Sequence, residues 1–112
     1  MLCNRIDCLA TLLGGYASYA GAYPAWEYKR DSALRDLIAG VYEAQTGKKA
    51  VIEAIHAGLE CGIFCGGLPG LDCVSLGPEM YDIHTPRERI SIASVERTWK
   101  LVCEVLRRAK EL

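Results

Sequence analysis

The chain has 112 residues, 51% hydrophobic and 24% charged, a balance that suits a folded domain, or a piece of one, and excludes intrinsic disorder. Thirteen basic against fourteen acidic side chains leave a net charge of −1, which excludes nucleic-acid binding through bulk positive charge. No apolar run approaches the roughly 18 residues of a membrane span, and no basic-then-apolar leader opens the chain, so the expectation is a soluble, cytoplasmic protein without a membrane partner.

Residues 1–13 carry Leu2, Ile6, Leu9 and Leu13 at helical spacing, and Gly14-Gly15 stops that helix. Residues 16–23 alternate small and aromatic side chains, a strand-like run closed by Pro24. Residues 24–30 read as a connector, where a proline and a charge cluster break the apolar pattern. Asp31 and Ser32 are good N-caps for a helix whose Leu34, Leu37, Ile38 and Val41 share one face, and Gly47 is placed as its left-handed stop.

The run 50–56 is short, apolar on both faces and bounded by turn signals, as expected of a buried parallel strand. A brief helix at 59–64 and a glycine-rich loop lead to a second strand at 72–76, followed by an irregular segment at 79–89. Ser91 or Ser94 then caps a final helix, with Val95, Trp99, Val102 and Leu106 as its inner face. Strands alternating with helices predict an α/β layer of parallel strands with covering helices.

The six cysteines (Cys3, Cys8, Cys61, Cys65, Cys73 and Cys103) sit mostly in apolar runs. Six would allow about 15 disulfide pairings in a secreted protein, but here they read as reduced, packed thiols. The Cys61–Cys65 spacing fits neither a redox turn nor a zinc ribbon.

In open α/β sheets, ligands bind beyond the carboxyl ends of the strands. Both histidines fall there: His56 ends the first buried strand and His84 lies in the loop after the second. As a neutral imidazole His84 can ligate a borderline metal, or simply hydrogen-bond a neighbouring carboxylate. His56 reads equally as a core histidine held by a backbone carbonyl. In the turn after it, Gly58 lets a ligand approach the backbone and the amides opening the next helix make an anion site, while Glu60 fits the helix dipole without any function. The nucleophile-elbow, phosphate-loop, dinucleotide and HExxH motifs are absent from these residues.

Taken together, the strings IDCLATLLGG, YPAWEY, DSALRDLIAGVYEAQTGKK, EAIHAGLECGIF and LPGLDCVSLGPEMYDIHTPRERISIASVERTWK resemble the C-terminal end of the aminoacyl-histidine (Xaa-His) dipeptidases. These belong to the dinuclear metallopeptidases, which include the carnosinases. The resemblance implies an α/β catalytic domain interrupted by a lid or dimerisation domain. Residues 1–23 would be the lid's last helix and strand, 24–30 the connector, and 31–112 the final segment of the catalytic domain. It implies that His84 ligates one of two divalent metal ions (zinc, or alternatively manganese or cobalt), and that Gly58, Glu60 and His56 lie near the bound dipeptide substrate.

The family's His-x-Asp motif, bridging aspartate and Glu-Glu pair are not in these 112 residues, and Ala25 stands where the connector would carry glycine. The chain alone is therefore expected to be inactive and to bind metal weakly or not at all. The competing expectation is a non-enzymatic α/β interaction domain that self-associates through an unpaired sheet edge.

Overall fold

A computed structural model describes residues 2–55 and 59–112. Its helices are α1 (Leu2–Leu12), α2 (Ala33–Thr46), α3 (Glu60–Gly67) and α4 (Ile92–Arg108), the last ending in a 3-10 turn at Ala109–Glu111. A two-stranded antiparallel ribbon, β1 (Met80–Tyr81) and β2 (Arg89–Ile90), precedes α4, with Met80 opposite Ile90 and Tyr81 opposite Arg89.

The helix boundaries follow from local chemistry. Ser32 has an extended backbone and its hydroxyl accepts from the Arg35 amide at 3.1 Å, which satisfies one orphan donor of α2. At the other end Gly47 takes φ 69°, and its amide donates to the Glu43 carbonyl at 2.8 Å. Ser91, rather than Ser94, caps α4. The Ser94 hydroxyl instead donates to the Ser91 carbonyl at 2.7 Å and accepts from the Glu79 amide at 2.9 Å, fastening the ribbon to the start of the helix.

The core is the contact between α2 and α4. Val41, Leu101 and Val105 are its buried apolar side chains, with Leu34, Leu37, Ile38 and Tyr42 packed around them. Each buried side chain of this size contributes about 1.5–3 kcal/mol. The face expected on α2 is the one used. On α4 it is not: Ser94, Leu101 and Val105 face inward, while Trp99 and Leu106 are 67% and 68% exposed. Two apolar stripes, one residue and hence about 100° apart, run along this helix. The position of α2 selects the one that periodicity alone ranks second.

Strand expectations also meet a different arrangement. Among the described residues, 16–23, 50–55 and 72–76 carry no ladder, and the peptide groups of 50–55 and 73–77 make no backbone–backbone hydrogen bonds. The one ladder lies within the segment expected to be irregular. A strand exists only against a neighbour, and these runs have none among the described residues. The radius of gyration is 19.1 Å, against about 13 Å for a compact chain of this length. An accessible surface of 9448 Å² likewise exceeds the roughly 6,100 Å² of a folded monomer of this mass.

Asp72 ties the distant parts together. Its carboxylate accepts from the Ser32 hydroxyl at 2.7 Å and from the Leu34 amide at 3.0 Å, so it caps α2 from forty residues away. Desolvation opposes the charged form, but those two hydrogen bonds, with Lys29 and Arg35 nearby, more than offset it and hold the carboxyl below its ordinary value. The connector is fastened beside it: Arg35 donates to the carbonyls of Lys29 and Arg30 at 2.7 and 2.8 Å, and Lys29 donates to the Gly70 carbonyl at 3.2 Å. Gly62 packs so closely under the Pro24 carbonyl that an added Cβ would stand 2.6 Å from its oxygen.

Asp72→Ala is expected to cost about 1–3 kcal/mol, the value of hydrogen bonds to a charged group, measured by urea unfolding followed at 222 nm. Because the folded carboxyl titrates below its unfolded value, its contribution is present above the unfolded value. It is lost as pH falls through the folded one; the wild-type chain should lose stability in that acid range and the variant should lose less.

Candidate functional site

His84 sits in the seven-residue loop that joins β1 to β2, and it is exposed. Both it and Asp82 have left-handed backbones, φ 63° and 52°, a conformation that costs a non-glycine residue roughly 1–2 kcal/mol. Such strain persists only where the surroundings over-determine it, and here they do. The Glu88 carboxylate accepts from the His84 amide at 3.0 Å. The Asp82 carbonyl accepts from the Thr85 amide at 3.2 Å and from the Thr85 hydroxyl at 2.7 Å. The same hydroxyl accepts from the Arg87 amide at 3.2 Å, and the Thr85 carbonyl takes the Glu88 amide at 3.0 Å.

Arg89 closes the loop from the ribbon side. Its guanidinium pairs with the Asp82 carboxylate and lies 5.0 Å from the centre of the Tyr81 ring. One residue further out, Glu79 accepts from Arg97 at 2.9 Å, so the base of the loop is pinned to α4 as well. Asp82 is therefore spent on Arg89 and does not orient the His84 ring. The imidazole nitrogens make no hydrogen bond to any described residue. The arrangement is a rigid backbone presenting an unencumbered imidazole at its tip.

Glu60 opens the first turn of α3, whose N-cap Leu59 offers no side-chain oxygen, and its carboxylate is exposed. Its neighbourhood raises the Tyr23 hydroxyl above the usual tyrosine range, chiefly by desolvation and then through the charges of Glu60 and Cys61. His56 and Gly58, the other two expected substrate contacts, lie outside the described residues. A groove of about 1140 Å³ lies elsewhere: Trp26, Ile38, Tyr42, Val51, Val74 and Leu101 are among its walls, and neither His84 nor Glu60 lines it.

Among the described residues no three His, Cys, Asp or Glu side chains converge to hold a metal ion. One imidazole is short of the three or four ligands that a metal ion takes, so the described residues do not by themselves fit a two-ion centre. Sequence reasoning located His84 in a loop but missed the residues that build the loop. Its signal was present in Asp82 and Arg89, which bracket the turn, and in Thr85 and Glu88, whose spacing suits side-chain-to-backbone hydrogen bonds.

No protein-family model matches the chain. Over 104 residues, 93% of this chain, it is 38% identical to the cytosol non-specific dipeptidase of Escherichia coli (strain K12). The match takes in 21% of that protein, so the chain spans about a fifth of the length of its curated relative. The likeness to a dipeptidase carried by the motifs is thereby upheld, for a piece of such a protein. No helix among the described residues is long and apolar enough to cross a membrane.

Arg89→Ala is expected to remove the ion pair and the ring contact. The cost at this exposed site is about 0.5–1 kcal/mol, seen as faster amide hydrogen exchange at Thr85 and Glu88 without loss of α2–α4 protection.

Proposed function

We propose that this chain is the closing segment of a metal-dependent dipeptidase's catalytic domain, inactive in isolation. Within the whole enzyme His84 supplies one ligand to a pair of divalent ions, zinc in the first instance, with manganese or cobalt as alternatives. The observation that carries the reading is the 38% identity to a dipeptidase, joined to an imidazole on a strained, braced loop whose ring nitrogens make no hydrogen bond to any described residue. Nothing in the packing of the described residues calls for a histidine at that position, whereas a ligand must be rigid and accessible. When bound, the two ions would activate a water for attack on the peptide carbonyl.

His84's part is to hold its neutral imidazole at a fixed place. Glu60, with His56 and Gly58 beside it in sequence, borders the dipeptide. Since the relative's name claims no side-chain preference, the substrates are dipeptides broadly, with the Xaa-His type among them. The localisation is cytoplasmic, as that name also states for the relative. In the complete domain, runs 50–55 and 72–76 take their places in a parallel α/β sheet. Residues 1–23 then belong to the lid, 24–30 to the connector and 31–112 to the catalytic domain.

A second reading is favoured by one observation, the uncovered stripe of Val95, Trp99 and Leu106 on α4. On this reading the chain is a non-enzymatic α/β module that self-associates. Trp99→Glu should then shift the species seen by multi-angle light scattering from dimer or larger to monomer. A wild-type chain that is already monomeric removes this reading.

For the leading reading, the 112-residue chain with added zinc or manganese is expected to show no turnover of Xaa-His or other dipeptides. In the full-length enzyme His84→Ala should lose about one of the two metal ions by elemental analysis and most activity. Retention of both ions would remove His84 from the ligand set.

A further inference from the structure

Residues 49–55 follow the left-handed stop of α2 and run without helix, turn or bend. The peptide groups of 50–55 make no backbone–backbone hydrogen bond to any described residue. Their apolar side chains are uncovered as well, with Val51 81%, Ile52 53% and Ile55 62% exposed. Such a run is an open strand edge, and an open edge is a template for another strand.

The charges on the run decide which strand. Lys49 and Glu53 are both exposed, and neither makes a hydrogen bond or ion pair with another described residue. They lie four positions apart, so on an extended run they stand on the same face, with Val51 midway between them. That spacing is self-complementary about a two-fold axis. When two copies pair antiparallel with Val51 opposite Val51, Lys49 stands opposite the partner's Glu53, and Ala50 opposite the partner's Ile52. Opposite charges directly across a ladder stabilise it, whereas like charges destabilise it.

The neighbouring registers lack this match. A slip of two residues toward Ile55 sets Lys49 against Ile55 and Glu53 against Val51. The slip that would offer Lys48 to Glu53 draws on a residue already tied to the end of α2. The Lys48 amide donates to the Thr46 hydroxyl at 3.2 Å, and its carbonyl accepts from that hydroxyl at 3.3 Å.

We propose that residues 49–53 are a homodimerisation strand, paired antiparallel with the same residues of a second copy of this chain. Two symmetric Lys49–Glu53 pairs fix its register about Val51. The contact is isologous, so it closes at two copies. A lysine on an edge by itself discourages pairing; here the partner's Glu53 turns that charge into the element that selects the register. The surface rests on the self-association of the second reading, and it is separate from the Trp99 stripe on α4.

The test is the oligomeric state of the reduced full chain at low salt, by multi-angle light scattering over a concentration series. The wild type is expected as a dimer, with amide exchange in 49–53 slowing as concentration rises. Lys49→Glu and Glu53→Lys each put two like-charged pairs into the interface and should weaken the dimer about tenfold. Both side chains are exposed, so the helix signal at 222 nm should match the wild type. Mixed in equal amounts, the two variants face each other with opposite charges at both positions. They should recover the dimer as a one-to-one heterodimer in native mass spectrometry. A monomeric wild type overturns this proposal and the second reading together. A dimer that Trp99→Glu disperses and the charge variants leave unchanged overturns this proposal alone. So does a mixture that fails to recover the dimer, or exchange in 49–53 that ignores concentration.

Discussion

The carboxylate of Asp72 is the constraint on which the described structure turns, because it joins segments that the chain separates by forty residues. Without it the first turn of α2 would present unsatisfied amides, and the run that follows Asp72 would have no fixed starting point. With it, the start of α2, the connector carbonyls gripped by Arg35 and the Gly70 carbonyl taken by Lys29 form one polar knot. Partial desolvation opposes the charge at Asp72, and the donors converging on it outweigh that and hold the carboxyl below its ordinary value.

Much of this was readable from residue types. The caps Ser32 and Ser91 and the stop at Gly47 stand where capping chemistry places them, and the Leu34, Leu37, Ile38 and Val41 face of α2 is the packed one. Helix ends are governed by a few local atoms, and local atoms are what a sequence displays. The inner face of α4 was not legible, since two apolar stripes run along it and the partner helix selects the one that periodicity ranks second. Nor did periodicity show the ribbon at residues 80–81 and 89–90. Its strands are two residues long, and their register comes from the loop between them rather than from any alternation.

The site divides the same way. That His84 lies in a loop without an apolar period could be seen directly, but that the loop is rigid could not. Rigidity arises from Asp82 meeting Arg89 and from Glu88 reaching back to the His84 amide. Such pairings are one choice among the several that four charged residues in eight positions allow. The left-handed backbone at His84 is only weakly signalled in sequence, because histidine and aspartate are enriched in that conformation but still adopt it rarely. His56, Gly58 and Glu60 were grouped by their turn, and of these Glu60 is the one that the described structure locates, at the mouth of α3.

The large accessible surface and the unpaired run 50–55 bear on function through one physical argument. Peptide groups that are to lie in a protein interior must find partners, and apolar side chains such as Val51, Ile52 and Ile55, all more than half exposed, must be covered. The groove bounded by Val51, Val74 and the α2–α4 pair offers both needs at once: apolar walls and, from 50–55 and 73–77, peptide groups without backbone partners. The His84 loop is rigid because its bracing is local, whereas runs 50–55 and 72–76 carry no ladder among the described residues because a strand needs a neighbour to pair with.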